Sequence, residues 1–334
     1  MSERIILLGH GSGGRLSHRL IRDTIGRILG GDTLHAWADA AILPAMGAQL
    51  AFTTDTYVVQ PLVFPGGDIG TLAASGTIND LAVMGARPSA MSCGLVIEEG
   101  FDLDALEAIL RSLRRTADSA GVEIVAGDTK VVRRGDADGL YINTSGIGWL
   151  PEPSPLSVEP IRPGDAVIVS GAIAEHGAAV MAAREGLVTT LRSDCAPLAG
   201  MIARLLDRCR GVKFMRDPTR GGIATVLNEI VEGRPFGIRL REEAIPVSDA
   251  ARGFCETLGL DPLYVANEGK VIAVVAAHDA DRALDALRAD PLGVRAARIG
   301  EVAADSPGIV VLETAVGGSR IVGMLAGDQL PRIC

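Results

Sequence analysis

At 334 residues, 48% of them hydrophobic, the chain is long enough for two domains with separate cores, but aromatics are only 3%, so those cores must be built from Ala, Val, Ile and Leu. The formal charge of −9, with no Lys/Arg stripe carrying interleaved aromatics, argues against nucleic acid. No apolar run has the length of a membrane span or the pattern of a signal peptide, and a soluble, cytoplasmic Ala/Gly-rich α/β protein is expected.

In chain order, Arg4 to Leu8 reads as a strand, followed by Gly9-His10-Gly11-Ser12-Gly13-Gly14 and a helical pattern over Leu16 to Leu29. The glycines let backbone approach a phosphate, and the helix N-terminus offers free N–H groups. The segment is neither a Walker A loop nor G-x-G-x-x-G, so phosphate contact and a plain Gly-rich turn both stand. Gln49 to Thr53 reads as a strand ending at Thr54-Asp55, and Gly70 to Met84 as a helix. Asp80 lies in the apolar stretch of that helix, where a buried carboxylate is costly unless a cation or strong donor compensates it. Pro88 to Ile97 is a strand containing Cys93. The spacing of Leu103, Leu106, Ile109, Leu110, Leu113 and Ala117 predicts a helix, with Asp102 as N-cap. Glu123 to Ala126, a strand, leads into Gly127-Asp128-Thr129-Lys130, where Asp128 and Lys130 share a face if the segment is extended. Tyr141 to Gly148 closes a first mixed α/β unit, residues 1–150.

Pro151, Pro153, Pro155, Pro160 and Pro163 cannot sustain a helix or central strand, which places a linker at 151–163. Beyond it, strands are expected at Ala166 to Val169, Gly237 to Leu240, Val271 to Ala276, Arg298 to Val302, Ile309 to Leu312 and Arg320 to Met324. Helices are expected at His176 to Arg184, Leu198 to Cys209, Gly222 to Glu232, Ser248 to Leu258 and Ala280 to Leu287. These make a second α/β unit, residues 164–326. Residues 327–334 form a polar, Gly- and Pro-containing tail ending in Cys334, which reaches about 25 Å when extended. The five cysteines are odd in number and have no C-x-x-C pair, which argues against a disulfide framework or structural zinc; Cys93, Cys209 and Cys255 read as small buried hydrophobes.

Asp55, Asp80, Asp128 and Asp217 each stand at a strand end or helix edge beside Gly or Thr. Singly they are turn formers or caps; together they suit Mg²⁺ held with substrate phosphates, a metal–nucleotide site. Glu268, in Asn267-Glu268-Gly269-Lys270 before a strong strand, is either a turn residue or a proton acceptor. His176 reads as capping or packing at a helix start rather than as a base.

Together, Gly11 to Gly14, Thr54-Asp55, Asn79-Asp80-Leu81-Ala82-Val83-Met84-Gly85, Gly127-Asp128-Thr129-Lys130, Asp217-Pro218-Thr219-Arg220-Gly221-Gly222, Asn267-Glu268-Gly269 and the final Pro331-Arg332-Ile333-Cys334 resemble the HypE hydrogenase-maturation family. That family lies within the aminoimidazole ribonucleotide synthetase and selenophosphate synthetase superfamily. Glu175-His176-Gly177 departs from it, Asp being expected before His. The resemblance implies a two-domain fold of mixed sheets with packed helices, and an ATP-dependent dehydratase converting an S-carboxamide on Cys334 to S-cyanate. It implies ATP contacts at Gly11, Ser12, Gly13, Gly14, Thr54, Asp55, Asp80, Asp128, Thr129, Asp217 and Arg220, with Mg²⁺ on Asp55, Asp80, Asp128 and Asp217. Glu268 is the favoured base, with Lys130 orienting or relaying. A homodimer, a HypF-like carbamoyltransferase and an iron-carrying HypC–HypD-like scaffold complex are the implied partners, and the tail is expected to move. Competing readings are a selenophosphate synthetase-like or thiamine-phosphate kinase-like enzyme, whose chemistry would not need Cys334, and a non-catalytic nucleotide-binding carrier.

Overall fold

The computed structural model describes residues 14–20, 22–23, 40–45, 48–150, 156–325 and 333–334. The expected strand at Arg4 to Leu8, most of the helix at Leu16 to Leu29, the first part of the linker and residues 326–332 of the tail region lie outside them. What is described of the first helix is Arg15–Leu20 (α1).

The first sheet comprises Ala41–Ala45 (β1), Ala48–Tyr57 (β2), Arg87–Glu98 (β5), Glu123–Val132 (β6) and Leu140–Leu150 (β7), in the order β1-β2-β7-β5-β6. Val63–Phe64 (β3) and Gly67–Asp68 (β4) form a small separate hairpin. Only β5 and β6 run parallel. Along β7, Leu140, Ile142 and Thr144 are buried while Asn143 and Trp149 are exposed, so one face of the sheet is covered and the other open. Ile69–Val83 (α2) and Leu103–Ser119 (α3) cover the closed face. Helix α3 begins at the expected cap, Asp102, whose side chain accepts from Ala105 N at 2.8 Å. Helix α2 is apolar on nearly all sides. Its Ile69, Leu72 and Ile78 join the first core and its Ala82 and Val83 the second, so it is buried between the two units.

The second sheet has seven strands in the order β14-β13-β10-β12-β8-β11-β9. They are Ala166–Val169 (β8), Val212–Arg216 (β9), Gly237–Arg241 (β10), Ile272–Val275 (β11), Ala297–Ala303 (β12), Val310–Glu313 (β13) and Ser319–Val322 (β14). Helices Glu175–Arg184 (α4), Ala199–Arg208 (α5), Gly222–Val231 (α6), Asp249–Leu258 (α7) and Ala280–Arg288 (α8) pack around it.

Two features differ from expectation. Strands β1, β3, β4 and β9 were not anticipated. Strands β2 and β6 run well past Thr53 and Ala126, because their polar continuations pair residue for residue with β7 and β5, so Asp55 and Asp128 lie inside strands rather than after them. Ile333, on the tail that is expected to move, is buried here in the first core, with Cys334 packed beside it.

Candidate active site

Strand β2 sends Thr53, Asp55 and Tyr57 to its covered face. Thr53 Oγ1 donates to Asp80 Oδ2 at 2.7 Å, which answers the cost of a carboxylate in an apolar helix with a hydroxyl from the sheet. Tyr57 Oη donates to Asp55 Oδ2 at 3.0 Å. That reach depends on Gly76 of α2, where a Cβ would stand 2.2 Å from Tyr57 Oη.

Two further acids come from adjacent strand ends of the second sheet. Antiparallel pairing of β9 with β11 sets Arg216 opposite Ile272, so Asp217, just after β9, and Glu268, just before β11, emerge at the same end. The turn from Asp217 into α6 passes through Gly221 and Gly222 at φ +77° and +59°, and a Cβ on Gly222 would meet Leu263 O at 2.5 Å. Asn267 ties the two segments together. Its Nδ2 donates to Pro218 O at 3.0 Å, and its Oδ1 accepts from Ala174 N at 2.8 Å, holding that non-glycine residue at φ +73° before α4.

Asp55, Asp80, Asp217, Arg220, Glu268 and Cys334 all line one pocket. Glu268 is 2% exposed, and its Oε1 has no hydrogen-bond partner among the described residues. Burial pushes its pKa well above the ordinary carboxylate value; Asp217, Asp194 and Asp55 add to the rise and Arg220 opposes it. Burial likewise pushes the Cys334 thiol up to about 12 against the opposing charge of Arg220, with Glu268 and Asp55 adding to the rise. A proton-avid carboxylate and a neutral sulfur therefore share a pocket walled by acids and one guanidinium.

The single chain does not bring every expected residue here. Thr54 is exposed on the open face of β2, donating to Thr144 O at 3.1 Å. Asp128 and Lys130 sit exposed on β6, paired with each other at 2.9 Å, and Thr129 between them is exposed too. The register Asp128↔Gly94↔Asn143↔Thr56 puts Asp128 on the open face, opposite to that of Asp55. Gly14 is buried before α1, where a Cβ would stand 2.4 Å from Leu325 O; Gly11, Ser12 and Gly13 lie outside the described residues. Among the described residues no three His, Cys, Asp or Glu side chains converge closely enough to hold a metal ion by themselves.

Sequence reasoning missed the supports of Glu268. Asn79 Nδ2 donates to Ala196 O at 3.1 Å and Glu268 O at 3.3 Å, while its Oδ1 accepts from Leu198 N at 2.7 Å. Asp194 accepts from Glu268 N at 3.1 Å and from Lys270 Nζ at 2.9 Å, a buried ion pair. Burial, the largest single influence, would raise Asp194, but the charge and hydrogen bond of Lys270, the His176 ring and the Glu268 N–H together outweigh it and hold the carboxylate below its ordinary pKa. Asn79 and Lys270 fall inside quoted motifs, which is the one signal that pointed at them.

Residues 37–150 match the model of the N-terminal domain of AIR synthase related proteins, and residues 162–313 that of their C-terminal domain. With the two sheets and the pocket between them, this defines the class: a two-domain AIR synthase-related protein. The chain is 50% identical over 330 residues to the carbamoyl dehydratase HypE of Rhizobium leguminosarum bv. viciae, covering 98% of this chain and 94% of that one. Its fold matches the solved structure of a HypE–HypF complex with a TM-score of 0.86 at 44% identity, over 92% of this chain and 99% of that one. A HypE structure in complex with ATP matches with a TM-score of 0.83 at 47% identity, over 99% of this chain and 100% of that one. The chain belongs to the HypE family of ATP-dependent carbamoyl dehydratases of hydrogenase maturation. Among the described residues no helix is long and apolar enough to cross a membrane.

Proposed function

We propose that this pocket dehydrates an S-carboxamide carried on Cys334 to an S-cyanate at the expense of ATP. The observation that carries the reading is the seating of Cys334 against a buried carboxylate with an unpartnered oxygen. In the balanced reaction R–S–C(O)NH₂ and ATP give R–S–C≡N, ADP and phosphate: the amide oxygen leaves on phosphorus and both N–H protons are lost. ATP supplies the phosphoryl group that makes this oxygen a leaving group, and Mg²⁺ the neutralisation of its charge. Asp55, Asp80 and Asp217 fit that ion as pocket carboxylates which, lacking a preformed cage, leave coordination positions to phosphate and water, the usual mode for Mg²⁺. Glu268 takes an N–H proton; burial and its acidic neighbours make it proton-avid. Arg220 offsets anionic charge at the pocket.

A homodimer across the open face of the first sheet is the proposed assembly. It would cover the exposed Phe52 and Trp149 and set the Asp128–Lys130 pair at the interface, where Lys130 would serve as orienting or relay group and Asp128 as a nucleotide contact, with Thr129 a further nucleotide contact from the other side of the edge strand. A HypF-like carbamoyltransferase is the proposed loading partner and a HypC–HypD-like iron complex the acceptor of the cyano group; the former is supported by the similar HypE–HypF structure.

The test is intact mass of the chain after incubation with such a carbamoyltransferase, carbamoyl phosphate and ATP–Mg²⁺, with Cys334→Ala as control. A carbamoyl adduct on Cys334 that loses one water only with hydrolysable ATP is expected. ATP turnover on a small acceptor with no adduct would instead favour a kinase-like activity.

A further inference from the structure

The ring of His176, in the first turn of α4, is buried and bonded on both sides. Nε2 lies 3.0 Å from the carbonyl oxygen of Ile333 and Nδ1 lies 2.8 Å from Ser193 Oγ. A carbonyl oxygen only accepts, so Nε2 carries the proton, and Nδ1 of the neutral ring accepts from the Ser193 hydroxyl. Ser193 has the complementary pattern: its Oγ also accepts from Cys195 N at 3.0 Å, and its own N–H donates to Pro65 O at 2.7 Å. Phe64 meets the imidazole edge-on, ring centroids 5.5 Å apart. Tautomer and ring plane are thus fixed by contacts from the β3–β4 hairpin and the Ser193 segment together. Burial lowers the ring's pKa, in keeping with the neutral form this pattern requires.

The carbonyl that His176 holds is the one joined directly to the backbone nitrogen of Cys334. Fixing that oxygen removes most of the freedom with which Cys334 could leave the neighbourhood of Glu268. The Ile333 side chain provides a second anchor, 3% exposed within the first core. One backbone acceptor and one apolar side chain therefore place the sulfur, leaving the Cys334 side chain free to carry a substituent.

We propose that His176 is a positioning residue that seats the Ile333–Cys334 segment by its backbone and so presents the group on Cys334 to Glu268. The proposal rests on the dehydratase reading for its catalytic consequence, whereas the seating itself is measurable without any turnover.

The experiment uses the full chain with His176→Phe, which keeps a flat ring but has no donor, and His176→Gln, whose amide N–H replaces that of Nε2. Two rates are read: iodoacetamide alkylation of Cys334 by peptide mass in the uncarbamoylated chain, and ATP-dependent loss of water from the carbamoylated chain in a single turnover. One lost hydrogen bond predicts about fivefold to tenfold faster alkylation and correspondingly slower dehydration in His176→Phe, with loading by the carbamoyltransferase unchanged. His176→Gln should recover most of both losses, which a role confined to packing would not produce. Ser193→Ala keeps its own N–H bond to Pro65 O but gives up the contacts of its hydroxyl with Cys195 N and with Nδ1, which releases the tautomer, and it serves if His176→Phe fails to fold; it should speed alkylation about twofold or more. Wild-type rates in His176→Phe, equal losses in the Phe and Gln variants, or, where His176→Phe does not fold, unchanged alkylation in Ser193→Ala would overturn the proposal. A wild-type chain that never loses water would count against the dehydratase reading, while the alkylation comparison would still decide the role of His176.

Discussion

Seating Cys334 in the pocket should make its thiol a poor nucleophile. With burial, and to a lesser degree Glu268 and Asp55, pushing the thiol to about 12 from an ordinary 9.0, the protonated form dominates while the residue stays in place. At pH 8 the thiolate fraction is about 10⁻⁴ for a pKa near 12 and about 10⁻¹ for one near 9, so the seated thiol should react about 10³-fold more slowly than a free one. Because Cys334 is only partly buried, a protection of about 10² or more is the working figure. The assay is a time course of iodoacetamide alkylation at pH 8, read on the Cys334 peptide and compared with a short free peptide ending Pro-Arg-Ile-Cys. Linkage fixes the pH dependence: a group whose pKa is raised in the seated state favours that state below its ordinary value of 9.0, and the contribution is lost as pH rises toward 12. Protection should therefore weaken above pH 9. Equal rates in the protein and the peptide at pH 8 would refute the reasoning.

Replacing Glu268 with Gln removes the proton acceptor at constant size. It should slow ATP-dependent water loss from carbamoylated Cys334 by about 10²-fold or more with loading intact, and an unchanged single-turnover rate would remove Glu268 from that role. Asp194→Asn strands the buried ammonium of Lys270 and should cost about 3–5 kcal/mol in urea unfolding. Because Asp194 is held below its ordinary pKa, its contribution is present above that ordinary value and is lost as pH falls through the depressed one, so the variant should lack the corresponding acid-dependent fall in stability. Gly76→Ala forces a Cβ against the Tyr57 hydroxyl and should cost about 1–3 kcal/mol while displacing Tyr57 from Asp55, a loss visible in the urea midpoint. Trp149→Glu puts a charge in the open sheet face and should shift a dimer to monomer in sedimentation; an unaltered mass would place any dimer contact elsewhere.

Helices, and one of their caps, were legible because their signals are local. Asp102 caps α3, and the apolar spacing behind it matches the buried side of that helix. Strand β9 was not legible: Val212-Lys213-Phe214-Met215-Arg216 spends its charged residues on distant partners, Lys213 on Asp165 at 2.7 Å and Arg216 on Glu229. Of the four expected metal carboxylates, Asp55, Asp80 and Asp217 line one pocket, whereas Asp128 stands apart within the single chain for a different reason. Which face a strand residue occupies depends on register, and Asp55 and Asp128 differ by one step in theirs, enough to put them on opposite sides of one sheet. Asp194 and Lys270 are 76 residues apart and carry no local pattern, so neither could be paired from sequence.

The unpartnered oxygen of Glu268 makes physical sense once its surroundings are considered. The backbone around it is fully engaged: its N–H donates to Asp194, its carbonyl accepts from Asn79, and Asn267 beside it is bonded through both ends of its amide. A buried acceptor without a partner costs about 1–3 kcal/mol, and a free loop would rotate the side chain toward water to avoid that cost. Here the loop cannot rotate without breaking the contacts of Asn79 and Asp194, so the penalty is held in place by residues that have no chemistry of their own. The same enclosure keeps Glu268 in a medium where each neighbouring acid acts strongly on it, which is why Asp217, Asp194 and Asp55 all add to its proton affinity. An acceptor that is proton-avid, unsatisfied and immobile beside the sulfur of Cys334 is what removal of a proton from a group on that sulfur requires.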